Sequence, residues 1–286
     1  MMKFARYAFL LGLAGCGEAK MSDAKPVIRF EIAAPIENAL SDSSVQFHKD
    51  CMQGLCLYKF SLSFANASRA DLLINSKTEI LKFDDIISTT LETSESDIIN
   101  KARVTLGGVP QDSEHNQAMR YFYQQVDKLR SAGWKRYIFQ NEARISGEEA
   151  RKFESARSIL GKPVGTGPWK DPALKLSAEE WLALPTINSW YFYKDGVYLL
   201  LRVQREKNTQ TPQKLGSYLF TLNFESEADF YKGFVEGEKD RENWKALVPP
   251  ELKRMAQERA QTEARLKQMG IAIDENYQDP PIKALE

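Results

Sequence analysis

Hydrophobic and polar residues alternate cleanly in several short runs. Ile28, Phe30 and Ile32 alternate with Arg29 and Glu31, and Tyr58, Phe60, Leu62 and Phe64 alternate with Lys59, Ser61 and Ser63. A period of two predicts strands with one face buried. Asn66-Ala67-Ser68 reads as a turn and 70–75 as a returning strand. Residues 78–110 carry a weaker pattern, in which 80–91 fits a short helix and 101–106 a strand ending at Gly107-Gly108. The period then changes to that of a helix over about 113–132. Ala118, Phe122, Val126 and Leu129 form one stripe with Tyr121 beside it, Asp112 or Ser113 stands where a cap belongs, and Gly133 follows as a C′ glycine. A strand over 134–139 and a helix over 146–160 are expected next.

Residues 161–173 hold three glycines, three prolines and an isolated tryptophan, which predicts irregular structure. Ser177-Ala178-Glu179-Glu180 is a capping box opening a short helix that Pro185 stops. A meander follows: strand 188–193 meets strand 197–205 across Asp195-Gly196, a strong hairpin signal, and 217–224 forms a third strand. Ser226 caps a helix through Phe230 and Tyr231. Pro249-Pro250 opens a charged helix to Met269, with a thin stripe of Leu252, Met255, Ala256, Leu266 and Met269, and 271–286 reads as an extended tail. Strands grouped with strands, with helices between and after, predict an α+β fold of antiparallel sheet and flanking helices. The folded part spans 27–286, and a division into lobes 27–140 and 141–286 fits the same pattern.

Charged residues make up 27% and hydrophobic ones 43%, the balance of an ordinary globular chain, and the formal charge is zero. No basic run or basic helix face is present, which argues against a nucleic-acid partner.

The N-terminus changes the picture most. Lys3 and Arg6 precede the apolar run Tyr-Ala-Phe-Leu-Leu-Gly-Leu, which closes on Ala14-Gly15-Cys16. This run is far shorter than the ~20 residues of a membrane-spanning helix, and its three-part order is that of a secretory signal. Leu13-Ala14-Gly15-Cys16 resembles the lipobox of bacterial lipoproteins. The resemblance implies cleavage after residue 15, lipidation of the Cys16 thiol, a flexible tether over 16–26 and a membrane-anchored domain facing the periplasm. Gly17, where an aspartate favours inner-membrane retention, leans toward the outer membrane. Each buried methylene contributes about 0.8 kcal/mol, so several acyl chains hold firmly.

Only Cys51 and Cys56 then remain. In an oxidising compartment two such close thiols favour a disulfide, and Gly54 between them eases the reversal. Free thiols and a metal site are the other readings. The latter is weakened by a spacing that is not Cys-x-x-Cys and by only two histidines, His48 and His115.

The chain shows none of the elbow, phosphate-loop, dinucleotide or zinc-protease motifs. Ser113-Glu114-His115 holds triad residue types. Neighbours on a first helical turn point in different directions, so capping and a solvent-facing histidine explain them. Glu179 and Glu180 are explained by the capping box. No catalytic residue, metal or cofactor is expected, although a carboxylate pair assembled only by the fold stays open. Trp190, Tyr191, Phe192, Tyr193 and Tyr198 read chiefly as core, with a ligand or partner surface as the alternative. The helix ending at Met269 reads chiefly as solvated, with partner binding as its alternative. In the long Gly/Pro loop, Trp169 with Lys170 beside it has the composition of a partner contact, against Trp169 folding back onto the domain.

Gly-Trp-Lys-Arg-Tyr-Ile (133–138), Trp-Tyr-Phe-Tyr-Lys-Asp-Gly-Val-Tyr (190–198), Ser-Glu-Ala-Asp-Phe-Tyr-Lys-Gly-Phe-Val (226–235), the Asn-Trp-Lys-Ala-Leu-Val-Pro-Pro-Glu-Leu run (243–252) and Ile-Asp-Glu-Asn-Tyr-Gln-Asp-Pro-Pro (273–281) together resemble proteobacterial lipoproteins that include immunity proteins against type VI secretion antibacterial lipases. The resemblance covers the C-terminal half. It implies a non-catalytic periplasmic protein that occludes a secreted (phospho)lipase-type effector, and it supplies no site residues. A structural or assembly lipoprotein of the envelope is the alternative, and an enzyme with a fold-assembled site a third.

Overall fold

The computed structural model describes residues 24–63, 68–75, 80–94, 96–152, 158–159, 162–163 and 171–286. Cys16, its lipobox, Trp169 and Lys170 lie outside the described residues.

Thirteen strands and the helices around them give the expected α+β fold. β1 (Val27–Phe30) is followed by helix α1 (Ile36–Asp42), the hairpin β2 (His48–Met52) and β3 (Leu55–Ser61), then β4 (Ala70–Asn75), β5 (Ile80–Ser94) and β6 (Ile99–Leu106). The short β7 (Ser113–Glu114) leads into α2 (His115–Ser131), then β8 (Lys135–Arg136) and α3 (Gly147–Ala150). β9 (Ser158–Ile159) and β10 (Lys162–Pro163) pair only with each other. After α4 (Ala178–Ala183) come β11 (Ile187–Lys194), β12 (Val197–Lys207), β13 (Leu215–Ser226), α5 (Glu227–Lys232), α6 (Glu238–Arg241), α7 (Trp244–Gln268) and a closing 3-10 turn, Lys283–Leu285.

Eleven strands form one sheet whose main path runs β1-β4-β5-β6-β13-β12-β11-β8. It is antiparallel except for β1 beside β4. β13 joins strands from both sides of residue 140, pairing with β6 along one edge and β12 along the other. On one face Val104, Leu199, Leu201, Phe220, Leu222 and Phe224 are buried, and the Ala118, Phe122, Val126 and Leu129 stripe of α2 belongs to the same core. Gly133, at φ 77°, ends α2 as expected, and Lys194 Nζ donates to the Ala132 carbonyl at 2.7 Å.

Several sequence expectations are corrected. Residues 80–91 lie in the 15-residue strand β5, not a helix. The adjacent Ile86 and Ile87 break the period of two because the strand carries a bulge there, with a register shift between Ile86 and Ser88. Neither Asp112 nor Ser113 caps α2: the N-cap position is Glu114, which makes no side-chain cap. Instead His115 N–H donates to the Lys214 carbonyl at 3.2 Å, so a neighbouring chain does the cap's work. Of 134–139 only Lys135–Arg136 pairs as a strand, and of the helix expected over 146–160 the described residues show the single turn Gly147–Ala150, with strand at 158–159. Lys162–Pro163 likewise forms a short ladder inside the stretch expected to be irregular.

Helix α7 starts at Trp244, before the two prolines rather than at them. Trp244 and Val248 are buried in a second core with Tyr137, Tyr198, Phe230 and Tyr231, which anchors the earlier turn. Of the expected stripe, Met255 and Leu266 are buried while Met269 is 54% exposed. Arg259 and Glu263 occupy buried places between them. Arg259 donates to both carboxylate oxygens of Asp279, at 2.7 and 3.0 Å, and to the carbonyls of Phe139 and Glu142, at 2.8 and 2.9 Å. Arg144 grips Glu263 through two nitrogens at 2.9 and 2.8 Å. The C-terminal segment is therefore held by a charge-assisted clamp at Asp279 as well as by packing of Ile271, Ile282 and Leu285 against the two cores.

Removing Arg259 takes the donor from the Phe139 and Glu142 carbonyls and the cation from Asp279, which is 35% exposed, at a cost of about 1–3 kcal/mol. Arg259→Ala is expected to lower unfolding free energy on that scale in urea titration. It should also expose the 271–286 segment to limited proteolysis under conditions where the parent protein resists.

Candidate functional site: an open sheet face and its aromatic cleft

On β13, Phe220, Leu222 and Phe224 point into the core, so Leu219, Thr221, Asn223 and Glu225 face the other side. The ladder registers extend this into rows across the sheet. One row runs Leu57, Glu92, Lys101, Glu225, Tyr198 and Tyr193. The next runs Lys59, Thr90, Arg103, Asn223, Leu200 and Tyr191, and a third Ser61, Ser88, Thr105, Thr221, Arg202 and Ser189.

The second core covers the Tyr198 end of these rows. Ser226 caps α5 by accepting from Asp229 N–H at 3.3 Å, as expected, and this sets Phe230 flat against Tyr198, with ring centroids 3.8 Å apart. Beyond α5 the face is open. Two adjoining hollows share Asn223 and Glu225 as a common wall. The larger, about 340 Å³, is lined by Phe139, Tyr191, Leu200, Phe230 and Phe234 with Glu225. The smaller, about 190 Å³, is lined by Leu57, Thr90, Glu92, Lys101 and Arg103.

The rings of the larger cleft form one group. Phe139 lies 4.8 Å from Tyr191, 6.0 Å from Phe230 and 6.1 Å from Phe234, centroid to centroid. Burial holds the Glu225 carboxyl above the usual carboxylate range; Lys101 opposes this, while Asp229 and Glu92 add to it. Among the described residues Glu225 has no hydrogen-bond donor and no cation within 4.0 Å. Beside it, Asn223 Oδ1 accepts from Arg103 Nε at 3.1 Å, and its Nδ2 is buried without a partner. A half-buried, unpaired carboxylate in an aromatic cleft is a common mark of a binding site.

The residues expected to carry chemistry lie elsewhere. Cys51 and Cys56 do form a disulfide, S–S 2.08 Å, across the tip of the β2–β3 hairpin, where Gln53 and Gly54 both take positive φ. His115 is buried, not solvent-facing. Its Nε2 meets the Pro212 carbonyl at 3.0 Å and so must donate there, which leaves Nδ1 to accept from the Tyr218 hydroxyl at 2.6 Å. Trp181 Nε1 donates to that hydroxyl in turn, at 3.2 Å. Ser113 Oγ donates to the Pro110 carbonyl at 2.6 Å, so this serine and histidine form no relay. Glu180 completes its capping box, accepting from Ser177 N–H at 2.7 Å, and also binds Arg151 at 2.9 Å.

Of the five aromatics on the meander, Trp190 and Phe192 enter the main core and Tyr198 the second, while Tyr191 lines the cleft. Among the described residues no helix is long and apolar enough to cross a membrane, and no group of three or more His, Cys, Asp or Glu side chains is placed to hold a metal. Glu225, Asn223, Phe139 and Phe234 were not singled out from sequence. The signal for the first two was their alternation with Leu222 and Phe224. No protein-family model, curated protein or solved structure matches this chain.

The raised Glu225 pKa fixes the sign of a pH effect. Because the folded state favours the protonated acid, its contribution is favourable at low pH and is lost as pH rises through the ordinary carboxylate range and then the raised value. Glu225→Gln is therefore expected to melt higher than the parent above neutral pH. The gain should shrink toward nothing in acid, read by calorimetry across a pH series.

Proposed function

We propose that this chain is a non-catalytic, lipid-anchored periplasmic binding protein that occludes a secreted antibacterial lipase-type effector. In this reading Cys16 carries the lipid, the outer membrane is the favoured address, and the open half of the sheet receives the partner. The observation that supports a binding role is the composition of that face. Ile187 and Leu219, 52% and 36% exposed, stand on either side of Gln204, next to the row of Arg202 and two rows from that of Arg103 and Tyr191. Exposed apolar residues beside an arginine have the make-up of a protein interface core, and the same face carries a hollow that an anchor can fill. The immunity assignment itself is supported by the resemblance of the 133–281 segments, and the anchor by the lipobox.

Three measurements test the reading. Cells lacking the gene should lose protection against attack by their siblings; survival equal to the parent's would sink it. Cys16→Ser should abolish palmitate labelling and reduce protection. For the surface, Arg103→Glu is expected to weaken effector binding tenfold or more, about 1.4 kcal/mol, in a purified-component titration with folding unchanged.

A further inference from the structure

We propose that the cleft between α5 and the sheet is a receptor for one basic side chain, arginine or lysine, presented by a protein partner. The proposal deepens the partner-binding reading above and rests on it for the nature of the partner.

Three features of the cleft point to a cation. The first is the Glu225 carboxylate, half-buried, with no hydrogen-bond donor and no cation within 4.0 Å among the described residues. The charge nearest to it in the ladder, Lys101, sits directly across the strand but forms no ion pair with it. Lys101 is itself set between Glu225 and Glu92 in one row, so its charge is divided between two carboxylates.

The second feature is the aromatic lining. Phe139, Tyr191, Phe230 and Phe234 gather within 6.1 Å of Phe139, and a cation over such faces is attracted by their quadrupoles, more so where water is excluded. Leu200 and the rings also suit the methylene stem of a long basic side chain.

The third is shape. The hollow holds about 340 Å³, ample for a guanidinium or ammonium with its stem, and it opens along the sheet face rather than closing around a ligand. An open cleft beside an exposed face suits a side chain carried in on a surface better than a free small molecule, which gains from enclosure on all sides. Binding would supply the charge that Glu225 lacks. Affinity should therefore rise with pH as that carboxyl ionises, with Lys101, Glu92 and Asp229 of α5 the other titratable groups acting on it.

The test is a titration of the full-length chain in a non-ionic detergent with N-acetyl-arginine methylamide and its lysine counterpart, followed by backbone NMR shifts. No effector is present, so failure here and failure of the immunity reading are separable: survival assays can stand when this titration fails, and the reverse. Saturable binding is expected, localised to β12, β13 and α5. It should weaken at least fivefold in Glu225→Gln and in Phe234→Ala, and at pH 5 relative to pH 8. Cooperative urea transitions verify that both variants fold, with the Glu225→Gln midpoint at or above the parent's at pH 8. The proposal is overturned if neutral N-acetyl-norleucine methylamide binds equally well, if Glu225→Gln binds as tightly as the parent, or if no probe saturates. Tighter binding of tetramethylammonium than of either basic probe would also overturn it, in favour of a quaternary ammonium headgroup.

Discussion

Phe220, Leu222 and Phe224 can enter the core only if Leu219, Thr221, Asn223 and Glu225 face the opposite way, and the register of β13 enforces both at once. β13 is hydrogen-bonded along both edges, to β6 and to β12, so it carries the core from the N-terminal strands to the C-terminal meander. A slip of one residue would send three aromatic or aliphatic side chains to the open face and a carboxylate into the core. Registers this strongly determined also fix what the other face displays. The ordering of Glu92, Lys101 and Glu225 in one row, and of Arg103 and Asn223 in the next, is thus a consequence of how the core packs.

Much of this was legible from sequence, for a definite reason. Wherever one sheet face is buried and the other wet, alternation survives in the residues, as at Tyr58–Phe60, along β12 and along β13. The Asp195-Gly196 turn was readable because both residues take positive φ, 50° and 83°, as a two-residue hairpin demands. β5 was not, because a bulge puts Ile86 and Ile87 side by side, and the apolar spacing then imitates a helix. The start of α7 was missed because paired prolines usually open a helix, whereas here burial of Trp244 and Val248 holds a further turn ahead of them. The disulfide was readable from the close spacing of the two thiols and from the compartment that the lipobox resemblance implies. The cleft was not, because Phe139, Tyr191, Glu225 and Phe234 meet only after β11, β12 and β13 pair and α5 folds back.

The second layer over the sheet explains why the face is half open. α5 is short, and its Phe230 and Tyr231 are spent on Tyr198 and Tyr137. α7 is long but mostly polar, and it is held by the Arg259 and Arg144 clamps rather than by a broad apolar stripe. A helix attached in this way has little apolar surface left to spread across the neighbouring rows. Its attachment points also pull it toward the 138–144 segment and the C-terminal tail, away from β6 and β5. The uncovered rows are therefore built into the way the layer is fastened.

Glu225 shows what that geometry costs and what it permits. Seryl, threonyl or glutaminyl side chains would sit on a half-covered strand with far less desolvation penalty than an unpaired carboxylate. Several carboxylates elsewhere are satisfied: Glu263 by Arg144, Asp279 by Arg259, Glu180 by Arg151 and a capping N–H, Glu227 by the Ala284 N–H at 2.6 Å. The contrast is local, since the same layer that completes those pairs leaves Glu225 without one, beside four aromatic rings. Glu225 and its row neighbour Glu92, neither of them bonded through its side chain among the described residues, leave negative charge in reserve at the edge of the exposed face. The electrostatic complement to that charge is a cation brought from outside.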